Sequence, residues 1–184
     1  MRKIYATSDE HYFHAKLLGL QNRPFKTVEE MNEAILEGHN SIVKPEDEVW
    51  HLGDFFLGVG TEFHKIWPIL HKLNGKHHLI RGNHDTDAKV SFLHKDFASI
   101  QHYAEISVCK TKVVMSHFPM LRWHHSDKGS VMLHGHCHGH LLYPFKAKIM
   151  DVGVDPNGFK PVLIEQVVQE MKDRPALNHH YDRM

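Results

Sequence analysis

Five short apolar runs in this chain each lead straight into side chains that can bind a metal, and that recurrence limits the fold more than any other feature. Residues 3–7 lead into Asp9 and His11, 48–52 into Gly53-Asp54, and 76–81 into Gly82-Asn83-His84-Asp85. Residues 112–116 lead into His117, and 131–133 into His134-Gly135-His136-Cys137-His138. Runs this short, bounded by turn formers, read as buried strands. Open α/β folds place their sites at the carboxyl ends of such strands. The 82–85 stretch is the centre of the pattern. Its glycine suits a sharp turn, and its next three side chains can ligate a metal, carry a proton or accept a hydrogen bond. Asparagine is a weak neutral ligand, used where anions and imidazoles already surround a site.

Helices are expected between the runs. Residues 27–43 give the clearest one: Thr27 and Glu30 are spaced as a capping box, and Met31, Ala34, Ile35, Ile42 and Val43 fall near one face. Residues 61–73 read as a helix interrupted or kinked at Pro68, 86–97 as loop and short helix, and 164–172 as a final helix. Residues 101–108 alternate as a single strand, joined to 112–116 by a hairpin turn at Cys109-Lys110-Thr111. Residues 147–152 and 161–164 read as later strands. The last dozen residues are polar and are expected to be loose. No repeat or linker interrupts the sequence, so residues 1–184 read as one domain.

Twenty histidines in 184 residues point to metal. Doublets such as His77-His78, His124-His125 and His179-His180 are scattered, so position has to select the ligands. Asp9-x-His11 offers a carboxylate and an imidazole, a pair that suits Mn, Fe, Zn or Ni. Lys+Arg and Asp+Glu are both 22, which leaves no net charge for holding a nucleic-acid duplex. No apolar run is long enough for a membrane span. The start has no signal-peptide core, and two cysteines make no disulfide framework. The expected location is the cytoplasm.

The ordered series Asp9-x-His11, Gly53-Asp54, Gly82-Asn83-His84-Asp85, His117 and Gly135-His136-x-His138 resembles the calcineurin-like metallophosphoesterase superfamily. The spacing Asp9-x-His11-x-x-His14 looks like its small bacterial and phage-type phosphoesterases. The resemblance implies a four-layer α/β/β/α sandwich, two mixed sheets flanked by helices, with a dinuclear metal centre. It implies that Asp9, His11 and His138 hold one divalent ion and Asn83, His117 and His136 the other, with Asp54 bridging them. Two divalent ions roughly 3.5–4 Å apart repel, which makes a shared carboxylate a natural bridge. Manganese is the first expectation, and the mixed N/O ligation also admits Fe, Ni, Co or Zn. The implied reaction is hydrolysis of a phosphodiester by a metal-bridging hydroxide attacking in line. His84 resembles the family's non-ligand histidine, which contacts phosphate or protonates the leaving oxygen. One departure matters. The run Gly53-Asp54-Phe55-Phe56-Leu57-Gly58 lacks the further Asp-Arg-Gly of the superfamily's phosphoprotein phosphatases, which lowers the case for a Ser/Thr protein phosphatase.

Around this set, His14, Arg81, Arg122 and His124 are the candidates for substrate contact. His134 and His140 are read as non-ligands, Cys137 as pointing away, and Asp85 as capping or orienting. Asp151 and Asp155 are expected in a turn near the site, with no assigned role. The expected partner is a phosphate ester, a small diester or a nucleotide, with neither a membrane nor a duplex involved. Oligomeric state is left open. The alternatives are a phosphomonoesterase acting on a small metabolite or nucleotide, and a catalytically silent metal-binding scaffold.

Overall fold

The computed structural model describes residues 2–143 and 146–177. It is an α/β structure with two mixed sheets. In the first sheet β1 (Ile4–Thr7), β2 (Glu48–His51), β3 (Lys76–Ile80) and β4 (Ser99–Gln101) run parallel, and the two-residue β9 (Val162–Leu163) pairs antiparallel with β1. The second sheet has the order β5 (Tyr103–Val108), β6 (Thr111–Ser116), β7 (Val131–His134), β8 (Ile149–Asp151), with β5 antiparallel and the rest parallel. The single strand expected over 101–108 is therefore two strands in different sheets. The chain changes sheet at His102, and the apolar alternation continues through the change, so pattern alone joins them.

Strand alternation separates the core into layers. Ala6, Trp50, Leu52 and Ile80 face inward against Ala104, Val113, Met115, Val131 and Leu133 of the second sheet, and α5 (Ile164–Glu170) closes this layer with Val167 and Val168. On the other side of the first sheet, Leu79 lies in a cluster with Leu18 of the one-turn α1 (Leu17–Leu20), Met31, Ile35 and Leu36 of α2 (Val28–Asn40), and Ile69 and Leu93 of the shorter α3 (Trp67–Leu70) and α4 (Asp87–Leu93). On the outer face of the second sheet, Val114, Met132 and Ile149 pack against Trp123, Ala147, Tyr143 and Leu177. Among the described residues that cover is loop, in contrast to the helical layer expected there.

Local chemistry explains the element ends. Thr27 Oγ1 accepts the Glu30 N–H at 3.1 Å and starts α2, a cap worth about 1 kcal/mol. Glu30 Oε2 reaches back to the Lys26 N–H at 2.8 Å. The helix expected over 61–73 is interrupted just before Pro68: a 3-10 turn, Phe63–Ile66, hands over to α3, where Pro68 occupies the first turn and needs no N–H partner. Cys109 and Lys110 both adopt left-handed backbone (φ 49° and 63°) and join β5 to β6 as a two-residue loop. His179 and His180 lie outside the described residues.

Candidate metal centre

The carboxyl ends of β1, β2, β3, β6 and β7 converge on one place. The loop after β1 is hung on the loop after β2: the Asp9 N–H donates to Gly53 O and the His11 N–H to Asp54 O, both at 3.0 Å. Asp9, His11, Asp54, His136 and His138 all have positive φ, between 48° and 69°. Left-handed backbone costs a residue with a Cβ roughly 1–2 kcal/mol, and its concentration in the candidate ligands marks a site held against strain. The turn expected at Gly82 is present, but its glycine is required by close approach and not by backbone conformation. Its φ is ordinary, and it is glycine because a Cβ there would stand 2.3 Å from Asp54 Oδ1.

Two overlapping groups of donors meet at Asp9: Asp9 with His11 and His138, and Asp9 with Asp54 and His117. Asp54 Oδ2 lies 3.6 Å from His11 Nε2 and 3.5 Å from His117 Nε2, between the two groups. Asn83 Oδ1 is 3.0 Å from His117 Nε2. The His136 N–H donates to Asp9 Oδ2 at 2.9 Å, and its ring lies against that of His117. Asn83 and His136 are exposed, whereas Asp9, His11, Asp54 and His117 are buried. The site therefore opens on the Asn83–His136 side.

Hydrogen bonds behind the rings set their tautomers. His117 Nδ1 faces Leu52 O at 2.7 Å, a carbonyl that can only accept, so Nδ1 carries the proton. Nε2 is then the ring atom turned to two acceptor oxygens, those of Asp54 and Asn83. His138 repeats the arrangement: Nδ1 donates to Asp155 Oδ2 at 2.7 Å, and Nε2 faces Asp9 Oδ1 at 4.0 Å. Asp9 Oδ1 is buried with no hydrogen-bond partner among the described residues. Imidazole nitrogens and carboxylate oxygens converging on a buried, unpartnered carboxylate oxygen form the donor set of a cation. Burial pushes the Asp9 carboxyl up to about 7, against the pull of the nearby His117 and His138, and a bound cation would lower it. The residues fit divalent ions.

His84 stands beside the donors. Its N–H donates to Asp54 Oδ1 at 2.8 Å, and its half-buried ring lies 5.5 Å from that of His11 and 6.5 Å from that of His14. His14 is also half-buried, and burial lowers its pKa, with His84 adding to the effect. Asp85 orients: Oδ2 accepts the N–H of both Asp54 and Gly82 at 2.8 Å. Arg81 is engaged elsewhere, donating to Asp85 O at 2.9 Å and Asp87 Oδ1 at 2.7 Å. His124 is bonded to Glu105 Oε1 at 2.8 Å, and Arg122 lies exposed in the same loop. The structure brings His14 to the site and gives Arg81 and His124 other carboxylates to bind, because acceptors nearer in space capture them. His134 is buried between Gly135 O and the Tyr143 hydroxyl. Burial and the Asp151 charge hold Cys137 as a thiol, its pKa up at about 11.

Two supporting residues, Arg23 and Lys89, escaped the sequence reading, and so did the role of a third, Asp155. Arg23 is buried and binds Asp155 through two parallel bonds of 2.8 Å. Asp155, placed near the site without a role, connects Arg23 to His138. Lys89, buried on α4, donates to Phe56 O at 2.6 Å and His84 O at 2.8 Å and so holds the 82–85 turn. A charged residue on an otherwise apolar helix face was the available signal for Lys89. Arg23 and Asp155 lie 132 positions apart, and nothing local links them.

No helix among the described residues is long and apolar enough to cross a membrane. No family model matches the chain. A crystal structure of the protein of unknown function AQ665 from Aquifex aeolicus overlays with a TM-score of 0.72 at 22% identity, covering 92% of this chain and 100% of that one, a likeness of fold. The Gene 66 protein of Mycobacterium phage L5 is 28% identical over 186 residues, covering 86% of this chain and 89% of that protein. The uncharacterized protein MJ1445 of Methanocaldococcus jannaschii is 34% identical over 174 residues, covering 92% of this chain and 91% of that protein. With identity at that level along nearly the full length of both, this chain belongs to the same family as MJ1445.

Proposed function

We propose that the chain is a metal-dependent phosphoesterase that hydrolyses phosphodiesters in preference to monoesters. One observation carries the reading: the buried Asp9–Asp54 pair, ringed by His11, His117 and His138 with their Nε2 atoms aimed inward and Asp9 Oδ1 unpartnered among the described residues. Asp9, His11 and His138 are assigned to one divalent ion, and Asn83, His117 and His136 to a second. Asp54, lying between the two groups, is assigned the shared position. When bound, the two ions supply Lewis-acid charge for the phosphoryl oxygens and a water of lowered pKa. Manganese is the first choice among the metals that this N/O donor set admits.

The chain's own groups divide the remaining work. Asp54 holds its carboxylate where both cations can reach it, and Asp85 fixes the backbone that carries it. His84 is the proton donor to the leaving oxygen, an imidazole at the open side of the site. His14, its ring 6.5 Å from that of His84, is assigned to contact the substrate. A diester needs one such donor and little charge around its second ester arm. Arg81 and His124, the bases that the sequence offered for recognising a monoester dianion, are occupied by the carboxylates of Asp87 and Glu105.

The test is hydrolysis of a chromogenic phosphodiester and the matching monoester by chelator-treated protein, before and after Mn2+ is restored. Metal-restored cleavage favouring the diester is expected. Preference for the monoester would make the chain a phosphomonoesterase. Cleavage of neither, with two ions measured as bound, would favour a silent metal-binding scaffold.

A further inference from the structure

One guanidinium ties together the two loops that supply the first cation's donors. Arg23 Nη2 donates to Asp9 O at 2.7 Å and Nη1 to Glu10 O at 2.9 Å, capturing two carbonyls of the left-handed turn between β1 and His11. Nε and Nη2 of the same group also grip Asp155. Asp155 Oδ2 then takes the His138 Nδ1–H at 2.7 Å. The Arg23 side chain is completely buried, and its cationic carbon lies 5.7 Å from the centre of the Phe159 ring. Burying a guanidinium is costly unless its fork is matched, and here an Asp and two carbonyls match it. A pair serving stability alone has no need to end on the back of His138 and on the turn that carries Asp9 and His11.

Resting on the two-cation reading above, we propose that Arg23 and Asp155 are positioning residues for the cation assigned to Asp9, His11 and His138. Asp155 holds His138 with Nδ1 protonated and Nε2 turned to the site, as carboxylates behind metal-binding histidines do. Arg23 fixes that carboxylate and, from the other side, the strained turn bearing Asp9 and His11. The ion assigned to Asn83, His117 and His136 has different support, because His117 leans on Leu52 O. The two cations therefore respond differently to the loss of this pair.

The experiment is titration of the metal-free full chain with Mn2+, following bound ions by calorimetry and free Mn2+ by electron paramagnetic resonance. Wild type, Asp155→Ala, Asp155→Asn and Arg23→Lys are compared, with fold checked by circular dichroism and thermal midpoint. Two ions are expected on wild type. Asp155→Ala should hold one of them about 10–100-fold more weakly and leave the other unchanged. Asp155→Asn, the same size, can still accept from His138 but then presents its NH2 to Arg23, so a smaller loss at the same ion is expected. Arg23→Lys, without the fork, should also weaken that ion. Folded variants that keep both affinities, or lose both equally, would overturn the proposal and leave the two-cation reading standing. Failure of wild type to bind two ions would overturn that reading and this inference with it.

Discussion

Asp85 Oδ2 accepts the Asp54 N–H at 2.8 Å, so a residue of the turn after β3 holds the left-handed backbone of the carboxylate that follows β2. The same oxygen takes the Gly82 N–H, and Oδ1 takes the Phe55 N–H at 3.4 Å. The buried Asp85→Ala would leave these donors unpaired, at about 1–3 kcal/mol for a buried unsatisfied group. The expected outcome is a lowered thermal midpoint together with weaker Mn2+ binding. A variant that loses stability while binding Mn2+ like wild type would show that Asp54 needs no such anchor.

Asp54 and His84 should separate binding from turnover. Asp54→Ala deletes the carboxylate lying between His11 and His117 and is expected to abolish activity and weaken cation binding. His84→Ala is expected to keep the cations and slow turnover by about 10²–10⁴-fold, the usual worth of a positioned acid. Metal counting on both proteins alongside kinetics checks this. The reverse pattern would exchange the two roles.

Gly135 is where the second sheet presses against Asp9. A Cβ there would stand 1.9 Å from Ser8 Oγ and 2.4 Å from Asp9 Oδ2. Ser8 is itself held by Leu52 O at 3.0 Å, so the neighbours cannot simply swing away. Gly135→Ala should cost about 1–3 kcal/mol by overpacking and displace the Asp9 carboxylate. Denaturant midpoints and Mn2+ titration check the two effects together. Unchanged cation affinity would mean that Asp9 tolerates the shift.

The site's outline was legible because its signals are local. A short apolar run followed by Gly53-Asp54, or by Gly82-Asn83-His84-Asp85, declares a strand and its turn within a few residues, and Thr27 with Glu30 declares the start of α2 equally locally. Legibility ended where partners are chosen in space. Arg81 and His124 were candidates for substrate contact by type and position in the sequence, which could not show that Asp87 and Glu105 are their neighbours in space. Arg23 and Asp155 lie 132 positions apart, on loops that only the tertiary fold brings together. The break at His102 was hidden for a related reason: two strands in different sheets each bury one face, so alternation continues unbroken although the pairing partner changes.

The loop joining β5 to β6 gives a prediction away from the site. Cys109 and Lys110 both sit in left-handed backbone, for which Asn-Gly is the favoured pair. Cys109→Asn with Lys110→Gly should stabilise the protein by about 1 kcal/mol through relief of that strain. Cation binding and turnover should be unaffected. A lower urea midpoint would show that this turn is fixed by something other than its backbone.

His39 reports on acid stability. It is buried on α2, and its Nε2–H donates to Asn74 O at 2.8 Å. Burial pushes its pKa down to about 3; the Asn74 bond raises it, while the neighbouring His51 and His77 lower it further. The unfolded chain titrates near the ordinary 6.5. Between these values the unfolded state binds a proton that the folded state refuses, so stability rises with pH across the window. His39's contribution is complete above about 6.5 and drains away as pH falls toward about 3. Glu10 pulls the other way, because burial raises its carboxyl to about 8 and the folded state then holds the extra proton. His39→Gln leaves Glu10 in place and keeps an N–H for Asn74 O, so the difference between the two proteins isolates His39. Urea midpoints at pH about 7.5 and about 4.5 should show the wild-type advantage shrinking at the lower value. An advantage that stays constant would mean that His39 is protonated in the folded protein.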